Sequence, residues 1–162
     1  LRLLAVRKCE EWLLAHMGEG SDGLGAIFPA MLNSILALKA LGYSNDHPML
    51  AKAKRDFEGL FVDDPTDFRI QPCLSPVWDT ALALRALAVS GLSADEPPAA
   101  RAVSWLLDKE VTRLGDWATY VSAQAGGWFF EHHNEFYPDV DDTAMVMIAL
   151  AAAWRMVLGV VK

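Results

Sequence analysis

The sequence has little cysteine and little positive charge, and both shortages narrow the classes of function that it can have. Its two cysteines, Cys9 and Cys73, match neither a zinc-binding spacing nor a disulfide framework, so we expect buried thiols in a reducing compartment. Lysine and arginine together number 14 against 21 aspartates and glutamates, which gives a formal charge of −7. Contacts to phosphate need clustered lysine and arginine, so this charge argues against a nucleic-acid partner.

Long apolar runs and alternating apolar segments are also missing. The longest charge-free stretch near the C-terminus, residues 143–154, is shorter than the about 20 residues that cross a bilayer. No alternating segment is long enough to indicate a β-strand. Apolar residues nevertheless make up 53% of the 162 residues, which excludes a disordered chain. The sequence predicts a folded domain without a transmembrane helix, and it allows one that lies on a membrane surface.

The apolar residues recur at helical spacing over most of the chain, most clearly in residues 3–13, 31–38 and 81–89. Pro48, Pro76 and Pro97 each follow a capping type of residue within two positions, which predicts helix starts. Gly42 and Gly91 each follow such a stretch, where a left-handed glycine commonly ends a helix.

The helical stretches also repeat. The string LALKAL at 36–41 nearly recurs as LALRAL at 82–87, and DTA at 79–81 recurs at 142–144. Each repeat combines an outer helix, a glycine-rich turn, an inner helix and a capped loop. A period of this size predicts stacked helical hairpins, either an open solenoid or a closed α/α toroid. Because neither end of the sequence shows a polar capping unit, we expect a fragment of a longer chain.

Three carboxylates, Asp139, Asp141 and Asp142, open the last apolar stretch. One interpretation is local: Asp139 is an N-cap, Asp142 completes a capping box, and the helix dipole favours Asp141. Three carboxylates within four residues also repel each other, so we expect one to keep its proton near neutral pH. A neutral carboxylic acid beside ionised ones is a proton donor, which is the second interpretation.

Aromatic residues surround these acids in the sequence: Trp128, Phe129, Phe130, Phe136 and Tyr137, with Trp78 at the corresponding place on the preceding inner helix. Aromatic faces stabilise cations by about 0.5–2 kcal/mol each. An acid in an aromatic, water-poor pocket suits protonation of an alkene followed by carbocation chemistry. A metal site is the alternative for a carboxylate cluster. Aromatic walls suit Mg²⁺ poorly, however, and the adjacent His132 and His133 are expected to be solvated rather than zinc ligands.

The string DVDDTA at 139–144 resembles the DxDDTA motif of squalene-hopene cyclases, which are class II triterpene cyclases. Further strings resemble this family in order and spacing: SPVWDT at 75–80, GDW at 115–117, GGW at 126–128, YP at 137–138 and DGLGAIFP at 22–29. The resemblance covers the chain to about Leu150. The DxDD motif alone is shared with class II diterpene cyclases, whereas oxidosqualene cyclases carry a version of it with a single acid.

The resemblance implies an all-α fold of two α/α barrels. Residues 1–77 would form the end of one barrel, and residues 78–162 the start of the second, which carries the DxDD motif. The resemblance makes Asp141 the proton donor and places Asp139 and Asp142 beside it. It also implies a substrate-binding wall, formed by Trp78, Phe130, Ile27, Phe28 and Pro29. Phe28 departs from the glutamine found there in some members of the family.

The resemblance further implies an enzyme that protonates a terminal alkene of squalene or a similar linear polyprenoid, after which a carbocation cascade forms hopene or hopanol. It implies no cofactor and no metal. It implies a monotopic protein on the cytoplasmic face of a bacterial membrane, and a homodimer is a further expectation. A histidine that the family carries downstream of the motif is missing here, so this chain alone is expected to be inactive.

Three other interpretations stay open at this point. The chain could be a non-catalytic helical-repeat scaffold in which the acids are only caps. It could be another class II cyclase, of the diterpene type. It could also be a prenyl-handling α/α-barrel enzyme that uses a metal. An Asp141→Asn substitution that is silent would favour the scaffold, and dependence on Mg²⁺ or Zn²⁺ would favour the metal enzyme.

Overall fold

The computed structural model describes residues 1–18, 21–134 and 137–157. Within these ranges the chain forms six α-helices, a short 3-10 helix over Asp116–Thr119 and one antiparallel β-hairpin. The helices and strands are α1 (Arg2–His16), α2 (Phe28–Ala40), α3 (Pro48–Glu58), β1 (Phe61–Asp64), β2 (Asp67–Ile70), α4 (Pro76–Val89), α5 (Pro97–Asp108) and α6 (Val140–Val157). The predicted all-α hairpin fold is confirmed for these residues, apart from the β-hairpin.

The chain divides into two compact units, Leu1–Leu74 and Ser75–Lys162. In the first unit α2 packs against α3, and the buried core is formed by Met17, Leu38, Leu50 and Ala53. In the second unit α4 packs against both α5 and α6. Its core joins one face of each of these helices and consists of Val77, Ala81, Leu84, Ala99, Leu106, Trp128, Val146, Ala149 and Ala153. The predicted barrel boundary after Val77 stays a prediction.

Proline and glycine set the helix ends as the sequence predicted. Helices α3, α4 and α5 begin at Pro48, Pro76 and Pro97. Gly42 and Gly91 follow α2 and α4 with φ angles of +94° and +95°. Both ends have the same hydrogen bonds, in which the residue after the glycine donates to the carbonyl five positions earlier, over 3.1 Å and 3.0 Å. These matching caps support the internal repeat.

The prediction that the chain has no β-strand is wrong for residues 61–70. Strands β1 and β2 pair in an antiparallel register that places Phe61 opposite Ile70. The turn is local: Asp64 Oδ1 accepts hydrogen bonds from the backbone N–H groups of Thr66 at 3.0 Å and Asp67 at 3.1 Å. The N–H of Thr66 is also the main cause that lowers the pKa of Asp64. Asp-Pro followed by a bonded Asx turn folds the hairpin without a long alternating pattern.

The expectation that both cysteines are buried is also wrong. Cys9 is exposed and Cys73 is half-buried, so the thiols are not both core residues. Helix α1 forms where it was predicted, but none of its described residues is buried. In the part of the chain that the structure describes, no helix combines the length and the apolar character needed to cross a membrane.

Candidate acid site

The acid site begins at the first turn of α6. Asp139 precedes the helix and caps it, since its Oδ1 accepts the backbone N–H of Asp142 at 2.8 Å. Its carbonyl accepts the N–H of Thr143 at 3.2 Å, which starts the helical hydrogen bonds. The predicted helix start and N-cap are therefore confirmed. The predicted capping box is wrong, because the N–H of Asp139 donates to the carbonyl of Trp128 at 2.9 Å rather than to Asp142.

The glycine-rich segment at 126–128 is bonded to this helix start from the other side. Trp128 and Asp139 form an antiparallel bridge, and the N–H of Trp128 donates to Thr143 Oγ1 at 2.9 Å. This approach requires glycine at position 127, where φ is +101° and a Cβ atom would lie 2.7 Å from Thr143 Oγ1. The segment and the helix start thus form one bonded unit around the acids.

The indole of Trp128 fixes that unit to the rest of the fold. Its Nε1 donates to the carbonyl of Leu106, near the end of α5, over 2.6 Å in a buried position. The carbonyl of Gly127 accepts the N–H of Val111 at 2.9 Å. The tryptophan that follows the two glycines thus packs back over the end of the outer helix α5.

Asp142 is the buried acid of the cluster, with only 3% of its surface exposed. Its Oδ1 atom has no hydrogen-bond partner among the described residues. Burial is the main cause that raises the pKa of Asp142 to about 7, followed by a hydrogen bond with Asp139 and by the negative charges of Asp139, Glu131 and Asp141. This agrees with the expectation that one acid of the cluster keeps its proton near neutral pH. Asp141, which the resemblance makes the donor, is exposed at the helix start.

Sequence reasoning missed the contribution of Glu131. This residue is 4% exposed, and its Oε1 atom accepts a hydrogen bond from Asn134 Nδ2 at 3.0 Å. Its negative charge helps to raise the pKa of Asp142. The signal in the sequence was an acidic residue directly after the aromatic run Trp128-Phe129-Phe130. A carboxylate in such apolar surroundings is costly to bury without a function or a partner, so its presence there indicates one.

A largely apolar cavity of about 670 Å³ lies against this helix start. Its walls come from the 3-10 helix region, the segment before the glycines and the first two turns of α6: Trp117, Val121, Ala123, Gln124, Gly126, Pro138, Asp139, Val140, Thr143, Ala144 and Met147. Asp139 is the carboxylate in this wall. The predicted wall residues Trp78 and Phe130 are not part of it.

Trp78 and Asp141 nevertheless occupy corresponding places. Both stand in the first turn of their helices, α4 and α6, and these helices pack against each other. Trp78 and Phe130 are each half-buried. An arrangement with Trp78 and Asp141 at opposite ends of their helices would have contradicted a shared cavity, and the structure does not have that arrangement. The convergence of Trp78, Phe130 and Asp141 on one substrate stays a prediction.

The other predicted wall residues lie in the first unit, where they form a surface of their own. Ile27, Phe28 and Pro29 stand at the start of α2 and line an apolar cavity of about 410 Å³ together with Ile70 and Pro72.

Two further residues of the predicted surroundings can be placed, and one cannot. His132 and His133 are exposed, as expected of solvated histidines. Among the described residues, no three His, Cys, Asp or Glu side chains are grouped as a metal site. Phe136 lies outside the described residues.

Comparison with known proteins gives matches over nearly the whole chain. The model of the squalene-hopene cyclase C-terminal domain matches residues 74–157, and that of the N-terminal domain matches residues 1–66. These domains are α/α toroids, which confirms the predicted fold class.

Individual relatives agree with these matches. The chain is 41% identical to a squalene–hopene cyclase of Zymomonas mobilis over 96% of this chain and 25% of the relative. It is 41% identical to a squalene–hopene cyclase of Alicyclobacillus acidocaldarius over 86% of this chain and 22% of the relative. It is 42% identical to a dammaradiene synthase of Dryopteris crassirhizoma over 90% of this chain and 21% of the relative. The chain therefore spans a quarter or less of the length of these relatives.

Proposed function

Because this chain belongs to the squalene-hopene cyclase family, we propose that it forms the acid-bearing part of a terpene cyclase that protonates a terminal alkene of squalene or a similar linear polyprenoid. The observation that carries the proposal is the buried carboxyl of Asp142, whose pKa is raised to about 7. A carboxyl with this pKa keeps a proton at a pH where ordinary aspartates have lost theirs. Such a group suits a site whose task is to deliver a proton.

In this proposal Asp141 transfers the proton and Asp142 supports the transfer. The side chain of Asp141 is exposed at the helix start, whereas Asp142 is 3% exposed and cannot reach a substrate without opening the fold. Asp142 shares a hydrogen bond with Asp139. While Asp142 stays neutral, it adds no negative charge beside the carboxylate that Asp141 becomes after the transfer. This division of roles follows the family resemblance for Asp141.

The chemistry balances without any redox step. The proton adds to one carbon of the terminal alkene, and the positive charge forms on the other carbon. Neighbouring double bonds then attack in turn, and each attack forms a carbon–carbon bond and moves the charge along the chain. Loss of a proton at the end gives an isomer of the substrate, while capture of water gives an alcohol. The reaction is thus an intramolecular cyclisation, which is an isomerisation when it ends in hopene and a net addition of water when it ends in hopanol.

Aromatic and apolar groups would supply the rest of the catalysis. The half-buried rings of Trp78 and Phe130 offer faces that stabilise a nearby cation by about 0.5–2 kcal/mol each. Substrate binding would come mainly from burial of a long hydrocarbon, at roughly 25 cal/mol per Å². A hydrocarbon of this kind partitions into bilayers, which supports monotopic attachment at the cytoplasmic face of a membrane as part of the proposal, with a homodimer as the proposed assembly.

A chimera tests the proposal directly. This chain replaces the matching 25% of the Zymomonas mobilis squalene–hopene cyclase, and the purified chimera is incubated with squalene in detergent. We expect cyclised hydrocarbon from the chimera and loss of turnover in its Asp141→Asn variant, since an amide cannot protonate an alkene. Asp95→Asn, an exposed residue ahead of α5, is the matched control and should keep full activity.

Helical content and thermal unfolding, followed by circular dichroism, show that each variant is folded. A folded chimera that leaves squalene unchanged would contradict the proposal. A folded Asp141→Asn variant with undiminished turnover would favour a scaffold in which the acids are only caps.

A further inference from the structure

The β-hairpin completes the apolar cavity at the start of α2. Three of the cavity's five lining residues, Ile27, Phe28 and Pro29, are those that the sequence assigned to the substrate wall. The other two, Ile70 and Pro72, come from the end of β2 and the segment after it. All five side chains are apolar, and the volume of about 410 Å³ lies in the range of ligand pockets, about 300–1,000 Å³.

Backbone hydrogen bonds hold the two sides of this cavity together. Ile27 and Cys73 form an antiparallel bridge, and the N–H of Phe28 donates to the carbonyl of Pro72 at 2.9 Å. The N–H of Leu74 donates to the carbonyl of Ala26 at 3.0 Å. The position of Pro72 relative to the start of α2 is therefore fixed by the main chain rather than by loop packing.

Aromatic packing holds the hairpin against the same helix start. Phe61 stands opposite Ile70 in the register, so their side chains share one face of the hairpin. The Phe61 ring lies 5.4 Å from that of Phe57, which lies 5.1 Å from that of Phe28. The hairpin that presents Ile70 thus also supports the cavity ring of Phe28.

We infer that Ile70 is a substrate-binding residue, whose side chain forms with Ile27 the apolar wall that receives part of a linear polyprenoid chain. The inference rests on the proposed function for its ligand class. Ile70 is 43% exposed and Ile27 is 40% exposed, so both carry apolar surface that a hydrocarbon would cover. The lining offers no charged or hydrogen-bonding side chain that would select a polar ligand.

The isoleucine content of the chain makes a direct test practical. There are four isoleucines, Ile27, Ile35, Ile70 and Ile148. With ¹³C-labelled isoleucine δ1 methyl groups, the intact chain gives one signal for each, and squalene is titrated in detergent micelles against micelles alone. We expect saturable shifts of the Ile27 and Ile70 signals together. Ile148 is exposed on α6 and reports non-specific contact with hydrocarbon.

Substitution sharpens the test. Ile70→Asn should weaken the squalene affinity read from the Ile27 signal by about tenfold, through loss of apolar burial. Phe68→Asn is the matched control, because Phe68 is 59% exposed on the same hairpin face but does not line the cavity. This control should leave the affinity within about twofold of wild type. Both variants are first checked for an unchanged Ile35 signal, which reports the folded core around α2.

Every result decides the question. A shift of Ile27 without Ile70, equal shifts of all four signals, or no shift would overturn the inference. An equal loss of affinity in the two variants would do the same. Failure here is separable from failure of the proposed function. If the chimera is active but the Ile70 signal does not shift, only the inference about Ile70 fails. If the chimera is inactive but the Ile27 and Ile70 signals shift saturably, only the proposed chemistry fails.

Discussion

The starts of α4 and α6 carry the same Asp-Thr-Ala string but place its aspartate in different surroundings. Asp79 of α4 is exposed and accepts a hydrogen bond from the hydroxyl of Ser75 at 3.1 Å. Asp142 of α6 is buried beside Glu131, with its pKa raised to about 7. Both helices begin with the same string, but at α6 the segment at 126–128 is hydrogen-bonded to the helix start. The segment over the start of α6 encloses its first-turn acid, and burial is the main cause that raises the pKa of Asp142.

The preceding position differs as well. α4 has Trp78 where α6 has Asp141, so equivalent places on successive inner helices carry an aromatic face and an acid. In the proposed chemistry one stabilises a cation and the other creates it. Under this proposal, one backbone geometry serves two different roles in successive repeats.

The largest loss of stability should come from a substitution that prevents the close approach of Gly127 to Thr143 of α6. Gly127→Ala places a Cβ atom 2.7 Å from Thr143 Oγ1 at a φ of +101°. We expect it to lower the free energy of unfolding by about 3 kcal/mol. Gly91→Ala, with a φ of +95° and nothing within 4 Å of its Cβ, should cost only about 1–2 kcal/mol of backbone strain. Urea unfolding measures both, and equal losses would show that the segment is not tightly bonded to α6.

The next effect concerns pH. The folded-state pKa of Asp142, about 7, lies above its ordinary value of 3.8, so the folded chain binds the extra proton. Its stabilising effect is complete below about pH 4 and is lost as the pH rises through 7. We expect the wild-type Tm to fall by about 5 °C between pH 5 and pH 8, relative to Asp142→Asn.

The same comparison contains its control. The amide of Asp142→Asn stays neutral and keeps a donor toward Asp139, so this variant should lose the fall in Tm, whereas Asp79→Asn should keep it. The four histidines are present in all three proteins, so any contribution from them cancels in the difference. A fall in Tm that persists in Asp142→Asn would assign the pH dependence elsewhere.

A smaller loss is expected at the neighbouring threonine. Thr143→Val removes the acceptor for the N–H of Trp128, which now bonds over 2.9 Å, and should cost about 1–2 kcal/mol. Thr80→Val, at the same repeat position in α4, should change the free energy of unfolding by less than half of that. Denaturant midpoints compare the two, and identical losses would remove the special role of the covered helix start.

The smallest effects are expected on the aromatic side of the comparison. In the chimera, Trp78→Ala and Phe130→Ala should retain turnover while diverting part of the product to incompletely cyclised hydrocarbons. Each removes a cation-stabilising face of about 0.5–2 kcal/mol and admits water. Gas chromatography of the products measures the diversion. A product profile identical to that of the unsubstituted chimera in both variants would show that these rings do not face the reacting substrate.

Local signals predicted the helices well. Prolines at the first helical position and glycines after the last turn depend on neighbouring residues alone, so Pro76 and Gly91 mark the ends of α4 as the sequence indicated. The β-hairpin escaped prediction because its strands are short and its turn depends on the Asp64 side chain rather than on an Asn-Gly type of signal.

The candidate site was predictable in part for the same reason. Capping by Asp139 is local and was predicted correctly. Which acid keeps a proton is not local, because it depends on burial and on the charge of Glu131 from another segment. Spacing in the sequence does not distinguish Asp141 from Asp142. The fold does, because it buries Asp142 and leaves Asp141 exposed.

The protonation of Asp142 is the most direct test of this account. A pH titration of the intact chain, with ¹³C-labelled aspartate carboxyl groups followed by NMR, should show one aspartate signal that titrates near pH 7. That signal should be missing from the Asp142→Asn variant and present in Asp79→Asn. If the Asp142 carboxyl instead titrates below pH 5, the covered helix start holds no proton near neutral pH, and the acids of α6 are helix caps.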